Sequence, residues 1–416
     1  MDKKTKALIF PEGFFWGAAT SSYQVEGANT NNDWWLWEQQ DGRIADGQRC
    51  ALACNHYHLY NQDFDIAKEL GHNMHRFSLE WSRIEPKRGE WNQEAVEHYR
   101  RVILALKERG MTPAVTLFHF CLPIWVSEMG GFENREIVSL FQRYVTKVCR
   151  ELGEHINYWF TINEPMVFLY KGYFDKTWPP GKNIGFQFFR IIRHMVQAHN
   201  QAYFAIHKIS EQFPDKNTYV GLTKNVRIFQ PYRGGSILDK LAAKFKDYFF
   251  NDYMMAKIFK SSAKTIDFIG LNYYTREFAS LDILNPKELF RESRSKRADV
   301  TDLGWEIYPF GIYQALVKLK KYGIPIVVAE NGLADKEDKK RAKFILDHLV
   351  QIHQAIEDGA DIIGYLHWSL LDNFEWADGY RARFGLVEVD YQSQQRTIRD
   401  SARSYAEICR TNQIII

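Results

Sequence analysis

Two glutamates stand at the ends of apolar runs: Glu164 in TINEP (161–165) and Glu330 in VVAENG (327–332). A pair of carboxyl groups brought together is what cleavage of a glycosidic bond requires. One protonates the leaving oxygen, and the other attacks the anomeric carbon or activates water. Covalent hydrolysis with retention needs the two roughly 5 Å apart. Residues so distant in sequence meet only if the fold closes on itself.

The pattern around them predicts such a closure. Apolar or β-branched runs at 14–19, 74–79, 112–118, 158–162, 219–223, 267–271, 324–329 and 362–366 read as buried strands. Amphipathic stretches at 94–109, 136–152, 186–209, 312–322, 339–357 and near 401–410 read as helices between and after them. Eight strands, each with room for a helix, make an α/β chain that folds as a single (β/α)8 TIM barrel over 1–416. A doubly wound sheet is the rival, but no G-x-G-x-x-G follows the first strand and no glycine-rich turn suits a dinucleotide or a P-loop. No linker, repeat or low-complexity tract divides the chain, and the polar stretch 285–302 reads as a long loop.

Barrel enzymes place their chemistry at the C-terminal ends of the strands. Glu164 then falls just past the fourth strand and Glu330 at the end of the seventh, on one mouth. Other polar and aromatic groups fall at the same height: Arg76 in the second strand, His119 at the end of the third, Asn163 before Glu164, Asn272 and Tyr274 after the sixth, and Trp368 at the end of the eighth. Glu375 and Trp376 follow in LLDNFEW. Singly, each has a dull explanation as an ion-pair partner, a satisfied core histidine or packing. Together, at the ends of six strands, they read as a site.

Composition narrows the ligand. Lys and Arg total 54 against 51 Asp and Glu, a net charge of +3 with no basic block, so neither nucleic acid nor an anionic membrane is an expected partner. The 12 Trp, 22 Tyr and 29 Phe fill most of the core and also supply flat faces on which sugar rings stack. The N-terminal MDKKTKALIF lacks the apolar stretch of a secretory signal, and no run is long enough to span a bilayer. Five cysteines, no N-x-[ST] sequon and an odd thiol count point to reduced thiols and a cytoplasmic location.

The chain resembles glycoside hydrolase family 1, the β-glucosidase family. The likeness runs in the family's order through FPEGFFWGAATSSYQVEG (10–27), MHRFSLEWSRIEP (74–86), LFHFCLP (117–123), TINEP, GLNYYT (270–275), VAENG and LHWSLLDNFEWADGYRARFGL (366–386). By that resemblance Glu164 is the acid/base and Glu330 the nucleophile. Asn163 holds the sugar 2-hydroxyl, and Gln24, His119, Glu375 and Trp376 bind the outer hydroxyls, with Asn272 also counted among the substrate-binding residues. Trp368 is the stacking floor, while Arg76 and Tyr274 contact Glu330 and favour its charged form.

The chain departs from the family at Cys121, where an aspartate is usual, and at Ala329, where a threonine is. Neither position is expected to touch the reacting sugar. The short region between Tyr274 and Trp305 leaves the leaving-group subsites undefined. The string Cys50, Cys54, His56, His58 offers a metal reading, since histidines two apart on an extended chain point the same way. Structural zinc sites instead join two separated ligand pairs, so neither metal nor cofactor is expected. The expectation is a retaining β-glycosidase acting on small, unphosphorylated β-glycosides. Transglycosylation, a galactose, fucose or mannose preference, and a non-catalytic sugar-binding barrel are the alternatives.

Overall fold

The computed structural model describes residues 6–260, 264–281, 291–293 and 299–416. Eight parallel strands close into a barrel: β1 (Phe15–Ala19), β2 (Met74–Ser78), β3 (Thr112–Phe118), β4 (Tyr158–Ile162), β5 (Tyr219–Asn225), β6 (Phe268–Asn272), β7 (Ile326–Asn331) and β8 (Ile362–Trp368). They follow one another around the barrel in chain order. The ring is sealed where β8 pairs with β1, Leu366 opposite Gly17 and Trp368 opposite Ala19.

Helices follow the strands and cover the outside: α1 (His56–Glu69), α2 (Gln93–Glu108), α3 (Ile137–Leu152), α4 (Phe188–Ser210), α5 (Ile237–Asp247), α6 (Tyr253–Phe259), α7 (Phe310–Lys320), α8 (Arg341–Glu357) and α9 (Asp400–Thr411). Their starts obey local chemistry. The Asn92 side chain accepts from the Ala95 amide to cap α2, and Ser236 caps α5 through the Asp239 amide.

Alternation along each strand divides the core in two. Val115, Leu117, Val220, Leu222, Ile269, Leu271, Ile326, Val328 and Tyr365 belong to the large cluster shared with the helices. Their neighbours Met74, Ala114, Phe160, Phe268, Val327, Ala329 and Leu366 form a separate apolar plug inside the barrel. The same parity carries upward, so Arg76, two residues beyond Met74, emerges above the plug with its guanidinium carbon 5.0 Å from the Phe160 ring centre.

Three features depart from the expected plan. A strand at Ala7–Ile9 pairs antiparallel with Gln413–Ile415, tying the two ends of the described chain together under the barrel. A short hairpin joins Val387–Val389 to Arg396–Ile398. The stretch 285–302, expected as a loop, lies largely outside the described residues. Its described part includes a strand, Arg291–Ser293, antiparallel to Arg276–Ser280, which itself pairs with Ile228–Pro231.

Phe160 is buried, packs edge-on against Phe268 at 4.9 Å and supports Arg76. Phe160→Ala leaves a void that the rigid ring of strands cannot collapse, so the unfolding free energy falls by about 3–5 kcal/mol. Urea unfolding followed by tryptophan fluorescence measures this. A loss below about 1 kcal/mol would show that the plug does not set barrel stability.

Candidate active site

The C-terminal mouth of the barrel opens into a cavity of about 660 Å³. His119, Asn163, Glu164, Tyr274, Glu330, Trp368, Glu375 and Trp376, all singled out from the sequence, line it.

Glu330 is held from two sides. Arg76 Nη1 donates to Oε1 at 2.5 Å and the Tyr274 hydroxyl donates to Oε2 at 2.6 Å. Arg76 is fully buried and also donates to Thr116 Oγ1 (3.0 Å, from Nε) and Asn163 Oδ1 (2.7 Å, from Nη2). Gly332, just beyond, lets β7 leave the barrel against β8: a Cβ there would stand 1.9 Å from the Trp368 carbonyl oxygen.

Glu164 sits where β4 gives way to a short helix, Pro165–Leu169. It has a left-handed backbone (φ 41°, ψ 57°), with Pro165 in the first helical position. Its amide reaches Thr223 Oγ1 at 3.1 Å, which fixes the turn to β5. Its carboxyl oxygen Oε1 accepts from Asn225 Nδ2 (2.8 Å) and Asn272 Nδ2 (2.9 Å). Burial, then the negative charge of Glu330, raise the Glu164 carboxyl to about 7, and the two amides oppose this only in part. The cavity thus holds one carboxyl bound by a cation and another bound by neutral amides.

The remaining groups form one connected network. Asn163 Oδ1 accepts from Arg76 and from Thr223 Oγ1 (2.6 Å), which turns its Nδ2 toward His119 Nε2 at 3.1 Å. His119 must therefore carry its ring proton on Nδ1, because burial and the nearby Arg76 keep the imidazole well below its ordinary pKa and so neutral. The His119 ring lies 6.0 Å from both Trp368 and Trp376 at small interplanar angles, 23° and 19°. Glu375 accepts from Gln24 Nε2 at 3.2 Å and from Trp368, and burial, Asp378 and Glu330 push its carboxyl up to about 8. Gln24 is completely buried and also donates to Asn373 Oδ1 and the Phe374 carbonyl, so it braces the loop that carries Glu375. Asp372, gripped by Arg399 at 2.8 and 2.9 Å, anchors the start of that loop.

Asn272 lies behind Glu164, with its amide spent on that carboxyl and on Asn163 Oδ1 at 3.5 Å. Among the residues of the site that the sequence pattern does not mark are Thr116, Thr223, Asn225 and the wall residue Arg227. Asn225 ends β5, two residues beyond the apolar run 219–223 that marks this strand in the sequence.

The cysteine–histidine string forms no site. The segment is helical from His56 onward, so residues two apart do not face the same way. His56 Nδ1 pairs with Asp63 at 2.8 Å, Cys54 Sγ reaches the Asp372 carbonyl, and Cys50 Sγ the Tyr23 carbonyl. Among the described residues no group of three His, Cys, Asp or Glu side chains could hold a metal ion, and no helix is long and apolar enough to cross a membrane.

Fold and cavity together define the class, a glycoside hydrolase built on a (β/α)8 barrel. The chain belongs to glycosyl hydrolase family 1, whose sequence profile matches residues 6–263 and 250–414. It is 34% identical to β-glucosidase A of Acetivibrio thermocellus, over 97% of this chain and 99% of the relative. It is 31% identical to a β-galactosidase of Pyrococcus woesei, over 98% of each. Among solved structures, a β-glycosidase from Pyrococcus horikoshii superposes with a TM-score of 0.92 at 40% identity, covering 98% of this chain and 96% of that one. The β-glucosidase from Thermotoga maritima in complex with glucoimidazole gives 0.90 at 32% identity, covering 97% and 99%.

The raised Glu164 carboxyl carries a stability consequence. The folded chain holds this proton more tightly than the unfolded chain, where the ordinary value is 4.5. The group's contribution is therefore fully present below about pH 4.5 and is lost as pH rises through about 7. Glu164→Gln keeps an oxygen for both amides and removes the ionisation. Its Tm at pH 8 should exceed wild type by about 2–4 °C, a gain that shrinks toward pH 5 in scanning calorimetry. An equal gain at both pH values would show that ionisation is not the cause.

Proposed function

We propose that this chain is a retaining β-glycosidase that removes unphosphorylated terminal β-D-glucosyl residues from small β-glycosides, with Glu164 as acid/base and Glu330 as nucleophile. The observation that carries this reading is the unlike setting of two carboxyls in one cavity: Glu330 faces a guanidinium and a phenol, Glu164 only amides. A carboxyl raised to about 7 is still protonated in a large share of molecules near neutrality and can deliver that proton to a leaving oxygen.

In the first step a Glu330 oxygen bonds to the anomeric carbon while the glycosidic bond breaks, and the Glu164 proton passes to the departing oxygen. In the second, ionised Glu164 takes a proton from water, the water oxygen bonds to the same carbon, and the ester to Glu330 breaks. An acceptor alcohol in place of water gives transglycosylation from the same intermediate. Asn163 Nδ2, with one hydrogen on His119 and one free, suits the 2-hydroxyl. His119 Nδ1–H, which has no partner among the described residues, and Glu375 suit the outer hydroxyls. The Trp368 and Trp376 planes offer stacking faces. The names of the relatives support glucose, and one of them supports galactose as the second choice. We also propose a cytoplasmic location, supported by five cysteines that are all free and buried.

Proton NMR of the first product from p-nitrophenyl β-glucoside should show the β-anomer, and an initial α-anomer would refute the covalent route. Glu330→Gln should abolish turnover of every glycoside. Glu164→Gln should still release dinitrophenolate in a burst while slowing the second step, and azide should rescue Glu164→Ala with formation of a β-glycosyl azide. In wild type, kcat/KM should decline above about pH 7 as Glu164 ionises, and this limb should vanish in Glu164→Gln. A limb that persists would assign the acid to another group.

The loop around Glu375 argues against phosphorylated sugars. Arg381 is paired with Asp378 and Arg383 with Asp372, so neither arginine pairs with Glu375. Above about pH 8, where Glu375 is ionised, a phosphate of charge about −1.5 to −2 would meet a like charge in a poorly solvated pocket. We expect p-nitrophenyl β-glucoside to exceed its 6-phosphate in kcat/KM by at least a hundredfold, roughly 3 kcal/mol in transition-state binding. Equal values for the two would overturn this reading of Glu375.

A further inference from the structure

The last three residues of β5 alternate between two environments. Thr223 and Asn225 turn toward the mouth of the barrel, where Thr223 Oγ1 meets Asn163 and Asn225 Nδ2 meets Glu164 Oε1 at 2.8 Å. Lys224, between them, is buried against the turn Tyr248–Asp252 that joins α5 to α6. Its Nζ donates to the carbonyl oxygens of Asn225 (2.5 Å) and Phe250 (2.7 Å) and lies 4.6 Å from the centre of the Phe250 ring. Among the described residues no carboxylate forms an ion pair with it. Asp252, the carboxylate that ends the turn, is taken by Lys318 and Lys321 at 3.0 and 2.8 Å.

We propose that Lys224 is a positioning residue for the acid/base. It fixes the end of β5 so that Asn225 stays on Glu164, and its ammonium balances the Glu164 anion that takes a proton from water in the second step. The inference rests on the reading of Glu164 given above. A lysine in so dry a place sheds its proton unless an anion answers it. Burial pulls the Lys224 ammonium down to about 7, with Arg227 and Lys318 acting in the same sense, and the charge that most opposes this is that of Glu164, ahead of Asp252. Glu164 in turn faces Glu330 on β7, Tyr274 beyond β6 and Arg227 beyond β5. Once Glu330 is esterified its repulsion is gone, and Arg227 and Lys224 are among the cations left to favour an ionised Glu164. The two groups therefore titrate as a pair.

The test is the pH profile of kcat/KM for p-nitrophenyl β-glucoside. Lys224→Met keeps the length of the side chain and removes its charge, so Glu164 becomes harder to ionise and the alkaline limb should move up by about half to one pH unit. Lys224→Arg keeps a cation and should hold the limb near its wild-type position. A role in packing alone would lower kcat/KM and leave the limb where it is. Carbon-13 NMR of wild type labelled at the lysine ε-carbon reads the same pair without changing Lys224. One lysine should titrate near pH 7, and Glu164→Gln should lower its midpoint because the supporting anion is gone. A limb unmoved in Lys224→Met, a limb displaced equally in Lys224→Arg, or a lysine midpoint indifferent to Glu164→Gln overturns the proposal. An alkaline limb that persists in Glu164→Gln overturns instead the reading of Glu164 as the acid, so the two failures are told apart.

Discussion

A guanidinium with no access to water is tolerable only where an anion and further acceptors surround it. Arg76 meets that condition through Glu330, Thr116 and Asn163, and the upper half of the barrel is arranged around the result. The apolar plug supplies the low-dielectric floor, with Phe160 directly beneath the cation. Glu330 is fixed in orientation because one of its oxygens belongs to Arg76 and the other to Tyr274. Asn163 is fixed in its flip state because Arg76 and Thr223 both require its oxygen. Through Asn163 the tautomer of His119 is set as well. One buried charge on β2 thus orders side chains on β3, β4, β5 and β7.

Glu164 differs because no cation touches its carboxyl. Its partners are amides, which donate without contributing charge, and burial then governs its proton. Glu375, a third carboxyl in the same cavity, is raised further, to about 8. Near pH 7 the cavity therefore holds the Arg76–Glu330 pair, a Glu164 carboxyl poised between its two forms and a Glu375 carboxyl that mostly keeps its proton, with Lys171, Arg227, Asp302, Asp378 and Arg381 also on the wall. Such an interior combines donors and acceptors with little net charge, which suits a neutral polyol and disfavours an anion.

The fold and the main carboxyls were legible in the sequence because both depend on strands. Strands this buried leave apolar runs, and a barrel places its polar groups where those runs stop. What escaped follows from the same rule. Asn225 was missed because Lys224 and Asn225 break the apolar pattern while the β5 ladder continues, Asn225 standing opposite Asn272. The contact between Asn272 and Glu164 depends on the closeness of neighbouring strand ends, which no spacing in sequence encodes. The metal reading of His56 and His58, set aside on ligand spacing, also lacks the extended chain it would need, because the segment is the start of α1. The terminal strand pair joins residues at opposite ends of the chain, a contact that local periodicity does not report.

The pairing of β8 with β1 bears on how such a chain is made. Synthesis is vectorial, and β1 emerges before every other strand of the barrel while its partner β8 emerges after them all. Until then β1 has one open edge, and the interior of the barrel lacks the Leu366 and Trp368 that fill its closing side. The ring cannot be assembled strand by strand into a finished object, because a partly made barrel is an open, curved sheet with two unpaired borders. Completion is a single late event for the nascent chain, and the protection of those borders beforehand falls to the helices already formed or to chaperones.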